Sequence, residues 1–93
     1  MGKYNVEFTK QGRADLQSIK RSGNLPTIHK VQQMLRELTT NPYEGTGKPE
    51  KLKHNYSGYW SRRINKKDRL VYKVEEEIVT VFVVSALGHY EER

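Results

Sequence analysis

Glu50 stands among Lys48, Lys51 and Lys53 at the end of a Gly/Pro-rich stretch, and its carboxylate is a candidate proton acceptor. The neighbouring cations favour its ionised form, which suits a base and equally suits a surface ion-pair partner. His89, flanked by Gly88 and Tyr90, falls just past the last apolar run. An imidazole there could donate a proton at neutral pH, or be an ordinary residue of an exposed tail. Arg62, Arg63 and Arg69 flank a turn. A guanidinium grips phosphate bidentately and can stabilise the added charge of a pentacoordinate phosphorus, although arginines also simply decorate strands. Base, acid and cation are the parts a nuclease needs when RNA's own 2′-hydroxyl is the nucleophile. Tyr90 could stack a base or cap the core, whereas Tyr59 and Trp60 read as sheet packing before they read as base platforms.

Other chemistries are thinly supported. His29, His54 and His89 show no metal-ligand spacing, no cysteine is present, and no phosphate-cradling glycine motif occurs, so no metal and no cofactor are expected. The net charge of +6 is concentrated: residues 48 to 73 hold nine Lys/Arg against Glu50 and Asp68, while the rest is near balance. A polyanion partner is the simple inference, and a solubilising surface the plain alternative. Nothing approaches the roughly 20 apolar residues of a membrane span. The start MGKYNVEF lacks a signal-peptide core, and Val6 stands where a myristoylation motif wants Ser or Thr. A cytoplasmic protein is expected.

At 93 residues the chain has room for one domain with one modest core, so residues 1–93 are read as a single domain. Alternation over residues 3 to 8 predicts a strand with Tyr4, Val6 and Phe8 on one face. Thr9 predicts a helix N-cap, followed by a polar helix over 10 to 21 with Ala14, Leu16 and Ile19 inward, stopping at Ser22-Gly23-Asn24. Pro26 opens a second helix with Ile28, Val31, Leu35 and Leu38 as its stripe, ended by Asn41-Pro42. Met34 and Leu25 read as exposed on that helix, available to the core, a dimer or a partner. PYEGTGKPE reads as an exposed loop. Strands follow near 51 to 55, at 59 to 64, at 69 to 74 and at 78 to 86, the last apolar enough for a central strand buried on both faces. Side chains alternate along strands, so an odd-numbered loop would align Arg63 with Arg69. The result is an α+β fold, β-α-α-β-β-β, with a helical hairpin on a mainly antiparallel sheet.

The run GKPEKLKHNYSGYWSRRINKKDRLVYKV at 47 to 74, with GHY at 88 to 90, closely resembles the YoeB/Txe branch of the RelE/ParE toxin superfamily. The resemblance implies a ribosome-dependent endoribonuclease, an mRNA interferase of a type II toxin–antitoxin system. Such a toxin enters the ribosomal A site, cuts the bound messenger and is silenced by an antitoxin, often of the Phd/YefM type; a homodimer is also compatible. By that resemblance Glu50 matches the general base of the K-P-E motif, Arg69 the stabiliser of the transition state, and His89 the general acid. Lys53, His54, Arg63 and Tyr90 match, by the same resemblance, contacts to RNA or phosphate. Two departures stand out: Lys66-Lys67-Asp68 where relatives often read E-E-H, and Leu87-Gly88 in place of R-Y, followed by Glu91-Glu92-Arg93.

Two rival classes share these features. A ParE-like toxin has the fold but acts by binding DNA gyrase, and a plain RNA-binding module would use the basic segment for affinity alone. The first lacks a use for Glu50, Arg69 and His89 together; the second predicts that His89 hardly matters.

Overall fold

The computed structural model describes residues 3–88, so the predicted site residues His89 and Tyr90 lie outside the described residues. Thr9 caps the first helix, α1 (Lys10–Ser22), by accepting from Gly12 N at 3.0 Å. Lys20 and Arg21 occupy its last turn, where cations suit the helix dipole, and Gly23 closes it at φ 73. The side chain of Asn24 then caps the second helix, α2 (Leu25–Thr40), with Pro26 in its first turn. Among the described residues no helix is long and apolar enough to cross a membrane.

Five strands form one sheet: β1 (Asn5–Phe8), β2 (Glu50–Lys51), β3 (Tyr59–Arg63), β4 (Arg69–Glu75) and β5 (Thr80–Ser85). Their spatial order is β1-β5-β4-β3-β2, with β1 parallel to β5 and the other pairs antiparallel. The helical crossover after β1 brings the two ends of the fold side by side. Ile19, Val31, Met34 and Leu38 from the helices meet Leu70, Tyr72, Val81 and Val83 from the sheet in one core. The predicted α+β arrangement is thus observed, with the short β2 as an edge strand.

Several local expectations are corrected. The strand expected near 51 to 55 is limited to Glu50–Lys51, because His54–Tyr56 winds into a 3-10 turn. The strand expected from 78 begins at Thr80: Glu76–Ile78 is a 3-10 turn, Val79 takes φ 48, and Ile78 is exposed. β5 is not the central strand, and only its Val81/Val83 face lies under the helices; Phe82 and Val84 are half-buried. Met34 is fully buried, not exposed, whereas Leu25 is exposed. On α1 the buried positions are Gly12, Asp15 and Ile19, while Ala14 faces solvent.

Gly12 marks the closest approach of α1 to the sheet. A Cβ there would lie 2.4 Å from the main-chain oxygen of Val83, an atom held inside the sheet. In an open helix Gly→Ala gains about 1 kcal/mol. Here the sign is expected to reverse, with Gly12→Ala costing about 1–3 kcal/mol through overpacking. Urea unfolding should show a lower midpoint at unchanged slope. A raised midpoint would mean that α1 and β5 separate without cost.

Candidate active site

The loop that delivers Glu50 is shaped by Arg62, which is fully buried on the helix side of β3. Its Nε donates to Tyr72 Oη at 3.1 Å; Nη1 donates to Glu37 Oε1 at 2.7 Å and to the Thr46 carbonyl at 3.3 Å. Nη2 donates to the carbonyls of Asn41 at 3.2 Å and Glu44 at 2.9 Å. All five donors of the guanidinium are therefore used. Tyr72 adds a bond to the Pro42 carbonyl at 2.6 Å. The stretch expected to be an exposed loop is in part an interior one, with Pro42 fully buried and three of its carbonyls, those of Pro42, Glu44 and Thr46, turned inward. Gly45, at φ 129, has no room for a Cβ beside Glu37 and Arg62. Of the three arginines considered for phosphate, Arg62 is thereby committed to structure.

From this loop the chain enters β2, and Glu50 pairs across the ladder with Ser61. Strand alternation then places Glu50, Ser61, Arg63, Arg69 and Val71 on the sheet face opposite the helices. The loop between β3 and β4 has five residues, an odd number, and Arg63 stands directly opposite Arg69. Arg69 Nη1 lies 3.6 Å from Glu50 Oε1, with a quarter of the Arg69 side chain and over half of Glu50 exposed. That separation is an ion pair and too long for a hydrogen bond. Lys53 and His54 are exposed just beyond, where Lys53 precedes the 3-10 turn and His54 takes φ 56.

On this same face a cleft of about 330 Å³ is lined by Tyr56, Tyr59, Val71, Val84, Leu87 and Gly88 among others. Tyr59 thus faces the cleft, whereas Trp60 packs against Tyr43 at 5.1 Å between ring centroids. Arg69 N donates to the Gly88 carbonyl at 2.9 Å, which brings the backbone preceding His89 to the cation of the site. The structure so unites Glu50, Arg63 and Arg69 with the chain up to Gly88. A larger hollow of about 690 Å³ beside Gln33, Arg36 and Glu44 contains none of the predicted residues. Among the described residues no group of three His, Asp or Glu side chains is placed to hold a metal ion.

Sequence reasoning missed three features. Asp15 and Asp68 are buried and bond to the main chain at 86 to 88. Ser61, between Glu50 and Val71 in the ladder, has a buried Oγ without a hydrogen-bond partner. Glu76 accepts from Tyr4 and Tyr43 at the far end of β4; burial and that carboxylate push the Tyr43 hydroxyl well above its ordinary value. Of these, Asp68 had a visible signal in Asn65-x-x-Asp68, a spacing that favours an Asx turn.

Two helices on one face of a five-stranded mixed sheet are the α+β fold of the small RelE- and YoeB-type toxins. Solved structures agree: a YoeB/ParE toxin from Agrobacterium tumefaciens superposes with a TM-score of 0.84 at 31% identity, over 92% of this chain and 99% of that one. Two Staphylococcus aureus structures follow, a YoeB dimer at TM-score 0.79 and 36% identity (95% and 99% covered) and a YoeB–YefM complex at 0.78 and 38% (94% and 98%). Toxin YoeB of Escherichia coli strain K12 is 41% identical over 63 residues, 68% of this chain and 73% of its own length. The family model described as "YoeB-like toxin of bacterial type II toxin-antitoxin system" matches residues 8–90. The chain belongs to the YoeB-like toxin family.

The Arg62 network has a pH signature through Glu37. Burial pushes the Glu37 carboxyl up, but hydrogen bonds from Thr46, Gln33 and Arg62 to the charged form outweigh it and hold the group below its ordinary value of 4.5. A carboxyl depressed in the folded state adds stability above its unfolded value and loses it as pH falls through the folded one. Urea-determined stability should therefore fall as pH drops below 4.5, and fall less steeply in Glu37→Gln. An identical slope in that variant would remove Glu37 from the linkage.

Proposed function

We propose that this toxin is a ribosome-dependent endoribonuclease that cuts messenger RNA by general acid–base chemistry. The observation that carries the reading is the Glu50–Arg69 pair, half-buried at Arg69 and exposed at Glu50, on the helix-free sheet face, with Arg69 bonded through its backbone to Gly88, the residue before His89. Glu50 accepts the proton of a 2′-hydroxyl, and that oxygen attacks the adjacent phosphorus. Arg69 turns from Glu50 to the phosphate and stabilises the charge that builds there. His89 protonates the departing 5′-oxygen, leaving a 2′,3′-cyclic phosphate on one fragment and a free 5′-hydroxyl on the other. Proton transfer contributes about 10²- to 10⁴-fold per group, so positioning of the messenger by the ribosome supplies much of the remaining rate. Free RNA is then a poor substrate.

Lys53, His54 and Arg63, all exposed beside the pair, hold the RNA backbone, and Tyr90 stacks on a base. The protein acts in the cytoplasm, where ribosomes are. An antitoxin of the Phd/YefM type holds it silent, a reading supported by the YoeB–YefM complex of Staphylococcus aureus, and the YoeB dimer of that organism supports self-association as well.

Primer extension on a message translated in a purified system tests the reading directly. Intact protein should cut with ribosomes and hardly at all without them, and Glu50→Ala and His89→Ala should each lose about 10²-fold or more. A message left uncut by the intact protein would overturn it and direct attention to gyrase. Lys53→Ala and Arg63→Ala should weaken binding and make it less steeply dependent on salt, each by roughly one phosphate contact. Salt slopes equal to that of the intact protein would remove those two side chains from the RNA contact.

A further inference from the structure

Three consecutive backbone N–H groups beyond β5 are taken by carboxylates from two distant elements. Asp15 Oδ2, on α1, accepts from Ala86 N at 2.9 Å and Leu87 N at 3.3 Å. Asp68 Oδ1, in the β3–β4 turn, accepts from Gly88 N at 2.8 Å. The other oxygens are answered too, Asp15 Oδ1 by Gln11 Nε2 at 2.7 Å and Asp68 Oδ2 by Asn65 Nδ2 at 3.1 Å. Both aspartates are 6% exposed. Burying a carboxylate is costly unless hydrogen bonds compensate, so two of them spent on one short backbone stretch call for a reason.

The reason lies in what the stretch joins. β5 ends at Ser85, and the Gly88 carbonyl accepts from the amide of Arg69, whose side chain pairs with Glu50. Gly88 adopts φ 72, a left-handed turn that the clamp holds from both sides. We infer that Asp15 and Asp68 are positioning residues that fix the backbone through Gly88 so that His89, the next residue, works against Arg69 and Glu50. The inference rests on the nuclease reading above. It also gives Asp68, a departure from the family's usual E-E-H turn, a definite task. A misplacement of about 1 Å costs up to 10²-fold in rate, so loss of either anchor is felt in the chemical step and not in RNA binding.

The test is a double-mutant cycle in ribosome-programmed cleavage, with single-turnover rate and half-saturating toxin concentration measured separately. Asp68→Ala should lower the maximal rate by about 10- to 100-fold at unchanged half-saturation. Asp68→Asn, which keeps one acceptor oxygen, should recover part of that loss. In a His89→Gln background Asp68→Ala should cost less than about twofold, because its effect passes through the missing imidazole. Asp15→Asn should follow the same pattern, and it serves as the second variant should Asp68→Ala not fold. Equal losses in both backgrounds, or a change confined to half-saturation, would overturn the inference while leaving the nuclease reading intact. A messenger left uncut by the intact protein would overturn both.

Discussion

A guanidinium with no exposed surface holds this fold in shape. Removing an arginine from water costs several kcal/mol unless its donors are matched, and Arg62 meets that cost with five bonds to α2, β4 and the loop between α2 and β2. Glu37 supplies the counter-charge at 2.7 Å and is itself held by Thr46. The loop carbonyls of Asn41, Glu44 and Thr46 have no strand or helix partner, and Arg62 replaces one. Without that centre the segment from 41 to 49 would lack a reason to fold back along β3. Glu50 would then have no fixed path to the sheet edge.

Arg62 and Arg63 are neighbours in sequence with opposite fates, and the two-residue period of a strand is the cause. One turns toward the helices and is consumed by structure; the other turns outward and stands opposite Arg69. Two like charges directly opposed on a sheet are destabilising, and Glu50 at 3.6 Å from Arg69 offsets part of that repulsion. The outer face consequently brings Arg63, Arg69 and Glu50 together.

Much of this was legible from local signals. Thr9, Gly23 and Pro26 act through neighbouring backbone, so these helix limits followed from sequence alone, whereas the Asn24 cap was not read there. The alignment of Arg63 with Arg69 turned on loop parity, and a strand end at 64 leaves an even loop where the observed end at Arg63 makes it odd. What stayed hidden depends on partners far along the chain. Nothing near Arg62 marks it as buried, since its counter-charge is 25 residues away and four of its bonds go to other side chains or carbonyls beyond the strand. Asp15 reads as part of a polar helix face until Ala86 and Leu87, 71 and 72 residues on, supply the donors. The strand before Ser85 was overextended because Ile78 and Val79 have β propensity, which a left-handed turn at Val79 overrides.

These contacts bring residues near the two ends of the chain together or join one of them to the middle. β1 lies against β5, Asp15 on α1 holds 86 and 87, and Asp68 in the hairpin turn holds 88. Between Ser85 and Gly88 no ladder continues the strand, so the conformation of 86 to 88 is determined by side chains placed by the completed sheet and helix. Glu50 arrives by a different route, through the Arg62 loop and the edge of β3. The two routes meet at Arg69, whose side chain pairs with Glu50 and whose amide bonds to Gly88. A site assembled this way from pieces about 40 residues apart has no local precursor, and its parts come into register only when α1, the loop and the sheet are all in place.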